Sequence, residues 1–92
     1  MGTIAYGRNC LWHDDISKAE TSTVIPSCPK CGAALVHAID EDRWNRSVEE
    51  CDREEYPGYA DLVKWMRGKC FIKMSEAVEQ YNKETGKTLV IN

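Results

Sequence analysis

The sequence predicts a small α+β fold, in which a zinc-ribbon-like β unit pinned by two closely spaced pairs of Cys and His residues is followed by two or three short α-helices. Three observations lead there. Cys10 and His13 form one pair and Cys28 and Cys31 another, with fourteen residues between the pairs. Short β-prone runs lie around those pairs, whereas from Asp40 onward apolar residues recur at helical spacing. Finally, 92 residues with 42% hydrophobic and 29% charged side chains make a single domain, with a β region over residues 1–39 and a helical region over residues 40–92.

Taken in order, Thr3 to Tyr6 is β-prone and stops at Gly7, Thr21 to Ile25 stops at Pro26, and Leu35 to Ile39 follows a glycine, so three short strands are expected. From Asp40 to Glu55 the apolar Trp44, Val48 and Cys51 recur at spacings of four and three, on one face of a helix with carboxylates opposite. Pro57 and Gly58 end it. Tyr59, Leu62, Val63, Trp65 and Met66 make a second amphipathic stretch, and Gly68 is suited to the left-handed residue that closes a helix. Residues 69–74 read as a connector. Ser75 is placed to cap a third helix, with Ala77, Val78 and Tyr81 inside and Gly86 at its end. The alternative is one continuous helix from Tyr59 to Thr85, striped by Met66, Cys70, Met74, Ala77 and Tyr81, since glycine inside a helix costs only about 1 kcal/mol.

The cysteines carry the chemistry. A domain this small buries only roughly 60 to 65% of its unfolded surface and benefits from a cross-link. Five cysteines cannot all pair, and MGTIAYGRNC contains no charged segment leading into an apolar run, so a reducing cytoplasmic setting is expected. No apolar run approaches the roughly 20 residues that span a bilayer. The string C-x2-H-x14-C-x2-C is then a pair of metal knuckles at zinc-ribbon spacing, with Cys10, His13, Cys28 and Cys31 as the expected zinc ligands. Pro29 pre-sets the second turn, and Gly32 permits the positive φ that aims amides at the sulfurs. His37, six residues past Cys31, is the alternative fourth ligand; its other reading is a partly exposed strand residue.

Cys51 and Cys70 have no partner at knuckle spacing and read as core thiols. C-P-x-C also occurs in thioredoxin-like oxidoreductases, but the βαβ context is missing here. Three thiolates and one imidazole close a zinc coordination sphere, leaving no open position for an activated water, so the metal is expected to be structural and the protein not an enzyme. No nucleophile–base signature, phosphate loop or H-E-x-x-H helix is present. Asp14 and Asp15 beside His13 read as solvated turn carboxylates, or as groups orienting the ligand from outside.

Charge narrows the partner. The net charge is −3, and residues 40–55 hold eight acids against three arginines. Nucleic-acid affinity comes mainly from clustered Lys and Arg, and this chain has no such cluster in sequence. The acidic stretch reads as a solvated helix face, or as a patch for a basic partner surface.

At CLWHDDISKA, CPKCGAAL, YPGYADLVKWMRGKCF and YNKETGK the chain resembles short zinc-knuckle proteins encoded by bacteriophages of actinobacteria such as mycobacteria. The resemblance covers most of the chain. It implies a phage product acting in the host cytoplasm, with Cys10, Cys28 and Cys31 at matching ligand positions, and implies no biochemical activity.

The function expected is binding of a host protein, with Trp12, Trp44, Tyr56, Tyr59 and Trp65 as aromatic anchors where they are not core. The alternative is a nucleic-acid-binding zinc ribbon acting in transcription or replication, requiring Lys64, Arg67, Lys69 and Lys73 to assemble one basic patch.

Overall fold

A computed structural model describes residues 2–22 and 24–91. Its sheet has three antiparallel strands in the order β2-β1-β3, with β1 (Thr3–Tyr6) central, β2 (His13–Asp15) on one edge and β3 (His37–Asp40) on the other. The register sets Ile4 opposite both Ile39 and Asp15, and Tyr6 opposite His37 and His13. The expected first strand forms as read. The strand expected over Leu35–Ile39 starts two residues later, because Leu35 donates its amide to the Pro26 carbonyl at 2.8 Å rather than to β1. Gly7 makes this turn possible, since a Cβ there would collide with the backbone of Ala34.

The strand expected over 21–25 does not appear. Thr23 lies outside the described residues, and those around it form a loop closed by a bridge between Glu20 and Ser27, with mutual backbone hydrogen bonds of 2.8 Å. Val24 is fully exposed, so this apolar run has no sheet face on which to bury itself.

Three helices follow: α1 (Glu41–Glu54), α2 (Tyr59–Met66) and α3 (Met74–Thr85). Trp44, Val48 and Cys51 of α1 are half-buried as their spacing requires, and Asp42, Glu49, Glu50 and Glu54 are exposed. Asp52 Oδ2 accepts hydrogen bonds from the amides of Gly58 (3.1 Å) and Ala60 (2.8 Å), so a residue of α1 satisfies donors at the start of α2. Gly68 adopts φ 78° and ends the second helix, which excludes the continuous helix from Tyr59 to Thr85. Lys73, not Ser75, is the N-cap of α3, and no side chain caps it; Gly86 at φ 73° closes the helix by donating to the Asn82 carbonyl at 2.8 Å.

Most of the buried apolar residues fall into two clusters. One, between the sheet and the loops, comprises Ala5, Cys10, Trp12, Ala19, Cys28 and Leu35; the other, between α2 and α3, is built on Leu62, Met66, Ala77 and Tyr81. Residues 67–71 run beside residues 11–14 and join the halves. Gly68 donates to the His13 carbonyl (3.0 Å), Leu11 donates to the Phe71 carbonyl (2.7 Å), and Arg67 pairs with Asp14 (2.8 Å) and Glu41 (3.0 Å).

Candidate metal centre

Residues 28–31 form a tight turn. Gly32, at φ 78°, donates its amide to the Cys28 carbonyl at 2.8 Å, and Lys30 N–H donates to Cys28 Sγ at 3.4 Å. The Ala33 amide bonds the Cys31 sulfur and the Trp12 amide the Cys10 sulfur. Each of these three sulfurs therefore receives a hydrogen bond from the amide two positions on. The turn leads into extended chain rather than a helix, unlike the setting of a thioredoxin-like C-P-x-C.

Cys10 meets this turn, and so does Cys70. The sulfurs of Cys10, Cys28, Cys31 and Cys70 all lie within 4.8 Å of one another. A zinc tetrahedron with bonds of about 2.3 Å needs sulfurs about 3.8 Å apart, so the four-cysteine cluster is compatible with a metal site. All five cysteines are free thiols. Burial pushes the Cys10 thiol up to about 11 and raises that of Cys70 further, whereas the Ala33 amide draws Cys31 down. Without a cation the Cys10 and Cys70 thiols resist ionisation, and a bound divalent ion would offset that resistance.

The expected fourth ligand, His13, does not belong to the cluster. From Cys10 the chain runs extended into β2, and alternate side chains point to opposite faces: Cys10 and Trp12 join the sulfur-side cluster, while Leu11 and His13 turn toward the helices. A two-residue gap brings ligands together only where the backbone turns, as at Cys28–Cys31. His13 is instead only 4% exposed and sits 4.9 Å from the Trp44 ring, centroid to centroid. His37 is half-buried on β3, its ring stacked on Tyr6 at 5.0 Å. Cys70, read from sequence as a core thiol, occupies the fourth corner because the strip 67–71 is bonded to residues 11–14. The glycine stop at Gly68 takes Cys70 off the helix, but only the long-range pairing of 67–71 with 11–14 brings it to the other three sulfurs. Cys51 stays half-buried in α1.

The remaining residues singled out by the sequence have other surroundings. Asp14 is tied to Arg67, and Asp15 accepts from the Ser17 amide at 3.0 Å, so both carboxylates serve the local backbone and an ion pair. Lys69 donates to the Trp65 carbonyl at 2.8 Å and lies 4.9 Å from the Trp65 ring centroid. Trp12 is buried, and Trp44, Tyr56, Tyr59 and Trp65 are half-buried. The large exposed apolar residues are aliphatic instead: Val24, Ile25, Val36, Ile72 and Val90. Among the described residues, no helix is long and apolar enough to cross a membrane.

Comparison with protein families, with curated proteins and with solved structures finds no match to this chain. Fold and site define a small α+β protein with a four-cysteine cluster able to hold a metal ion.

Proposed function

We propose that this chain is a structural-zinc protein, without catalytic activity, whose function is to bind another protein; following the resemblance, it is a phage product acting on a host protein in the host cytoplasm. Cys10, Cys28, Cys31 and Cys70 hold the zinc, and four thiolates leave it no open coordination position. The observation that carries the binding reading is an exposed apolar groove of about 300 Å³ whose walls include Val24, Ile25, Pro26, Leu35 and Val36. These residues flank the Cys28–Cys31 turn on both sides, so the metal that fixes the turn also fixes the groove. Aliphatic side chains offered to solvent on an anchored loop favour a protein partner. The nucleic-acid alternative has less support, because Arg67 is engaged by Asp14 and Glu41 and α1 exposes carboxylates.

The test is affinity capture from a mycobacterial lysate, with and without nuclease, using the zinc-loaded protein and Val36→Asp. A protein retained after nuclease and lost with Val36→Asp, at unchanged zinc content, supports the reading. A duplex or single-stranded oligonucleotide bound more tightly than the non-specific range of about 10⁻⁴ to 10⁻⁶ M would overturn it in favour of nucleic acid.

A further inference from the structure

The four cysteines of the cluster differ in their access to solvent. Cys10 and Cys28 are buried and Cys70 is half-buried, whereas Cys31 is exposed. Cys31 also stands on the open side of its turn: Pro29, Lys30 and Gly32 are exposed, and a side chain added at Gly32 would meet nothing within 4 Å. A reagent arriving from solvent therefore meets this cysteine first, and the turn has room to change shape when it does.

The partners needed for a disulfide are beside it. The sulfurs of Cys10, Cys28 and Cys70 all lie within 4.8 Å of that of Cys31, so closing a bond of about 2.05 Å asks for a movement of at most about 3 Å. Cys28 is the favoured partner because it shares the turn of residues 28–31. A turn holds Cα atoms three residues apart within about 7 Å, which overlaps the span a disulfide bridges. Accessible thiolates with a second thiol at hand are those that oxidise reversibly to a disulfide. We infer that Cys31 is an oxidation site, at which a hydroperoxide converts the Cys28–Cys31 pair to a disulfide and expels the metal; this rests on the reading of the four-cysteine cluster as a zinc site.

With hydrogen peroxide, the Cys31 thiolate attacks one peroxide oxygen, so that an S–O bond forms, the O–O bond breaks and hydroxide leaves. The Cys28 thiolate then attacks the sulfenic sulfur, forming the S–S bond as a second hydroxide leaves. Two thiolates supply the two electrons that reduce the peroxide, and both hydroxides take protons from solvent. Zinc is left with two of its four ligands and dissociates. The tie from this turn to Cys10 and Cys70 goes with it, and the groove walls beside the turn lose their anchor.

The test treats protein carrying one zinc per chain with hydrogen peroxide in the presence of a coloured zinc indicator, and maps the thiols by mass spectrometry. Trypsin cuts after Lys30, between the two cysteines, so the disulfide joins the peptides 19–30 and 31–43. Zinc release is expected at least about tenfold faster than in untreated protein and in step with the joined peptides, with dimedone captured at Cys31 ahead of Cys10. Dithiothreitol and added zinc should restore the starting state. Cys51→Ser, which removes the half-buried thiol outside the cluster, should change neither rate nor product. Zinc retained under peroxide, or released while the 31–43 peptide keeps a free thiol, overturns this inference and leaves the zinc reading intact. Protein that takes up no zinc overturns the two together.

Discussion

Around the four cysteines the buried residues are mostly small, with Ala5, Cys10, Ala19 and Cys28 surrounding Trp12 and Leu35, whereas between α2 and α3 they are Leu62, Met66, Ala77 and Tyr81, backed by half-buried Leu11, Trp65, Phe71 and Leu89. The sheet side therefore has little apolar area to bury and needs a cross-link, while the helical side buries large side chains against one another. Aromatic packing reinforces the second half: Trp65 stacks on Phe71 at 5.7 Å and meets Tyr81 edge-on at 5.5 Å. Small size alone thus does not decide how a domain is stabilised. Two regions of one short chain depend on different forces, and each should fail under a different insult.

Metal removal is expected to break the comparison most severely. With zinc on the four cysteines, chelation should remove a contribution on the order of 10 kcal/mol and abolish the dispersed amide signals of β1 and β3. Cys70→Ser should lower the zinc stoichiometry, whereas Cys51→Ser and His13→Asn should leave it at one per chain by elemental analysis. Retention of full zinc by Cys70→Ser would return the fourth ligand to a histidine.

The helical half should respond to a cavity instead. Leu62 is fully buried, and Leu62→Ala should cost about 2 to 5 kcal/mol in denaturant unfolding with zinc still bound at low denaturant. Loss of zinc in the folded variant would show the halves to be one cooperative unit.

Acid titrates the seam between them. Burial holds the His13 pKa below its usual 6.5, against the opposing pull of the Leu11 and Val63 carbonyls. The unfolded chain then binds the proton first, so this residue's contribution is complete above pH 6.5 and is lost as pH falls through 6.5 toward the lower folded value. The slope from one group is at most about 1.4 kcal/mol per pH unit. The difference in stability between wild type and His13→Asn, measured above the pH at which zinc is released, should shrink in that direction.

The smallest effect is expected at Arg67. Its guanidinium bridges Asp14 and Glu41 but is 39% exposed, and Arg67→Ala should cost about 1 kcal/mol or less, diminishing with salt. A larger loss would mean that the ion pair, rather than the backbone bonds of 67–71, holds the strip in place.

What was legible in the sequence depended on how locally each feature is determined. The strand Thr3–Tyr6, the face of α1 carrying Trp44, Val48 and Cys51, the stops at Gly68 and Gly86, and the Cys28–Cys31 turn all follow from residues close to one another in the chain. β2 did not, because His-Asp-Asp has no strand propensity and pairs only because β1 lies beside it. The fourth corner of the cluster was equally hidden. Spacing predicted His13, but the edge-strand alternation that removes it and the crossing strip that delivers Cys70 are both tertiary facts. The exposed apolar loop around Val24 looked like a strand for the same reason: composition alone does not say whether a sheet face is available.

The crossing of 67–71 over 11–14 also sets a schedule. Cys31 and Cys70 are separated by 39 positions in the chain. At a synthesis rate of about 5 to 20 residues per second, three thiols therefore wait roughly 2 to 8 s for the fourth. During that interval the nascent chain offers an incomplete, solvent-open set of sulfurs to any ion or oxidant it meets. The arrival of Cys70 completes the cluster, so the order of translation makes this cysteine the one that closes it.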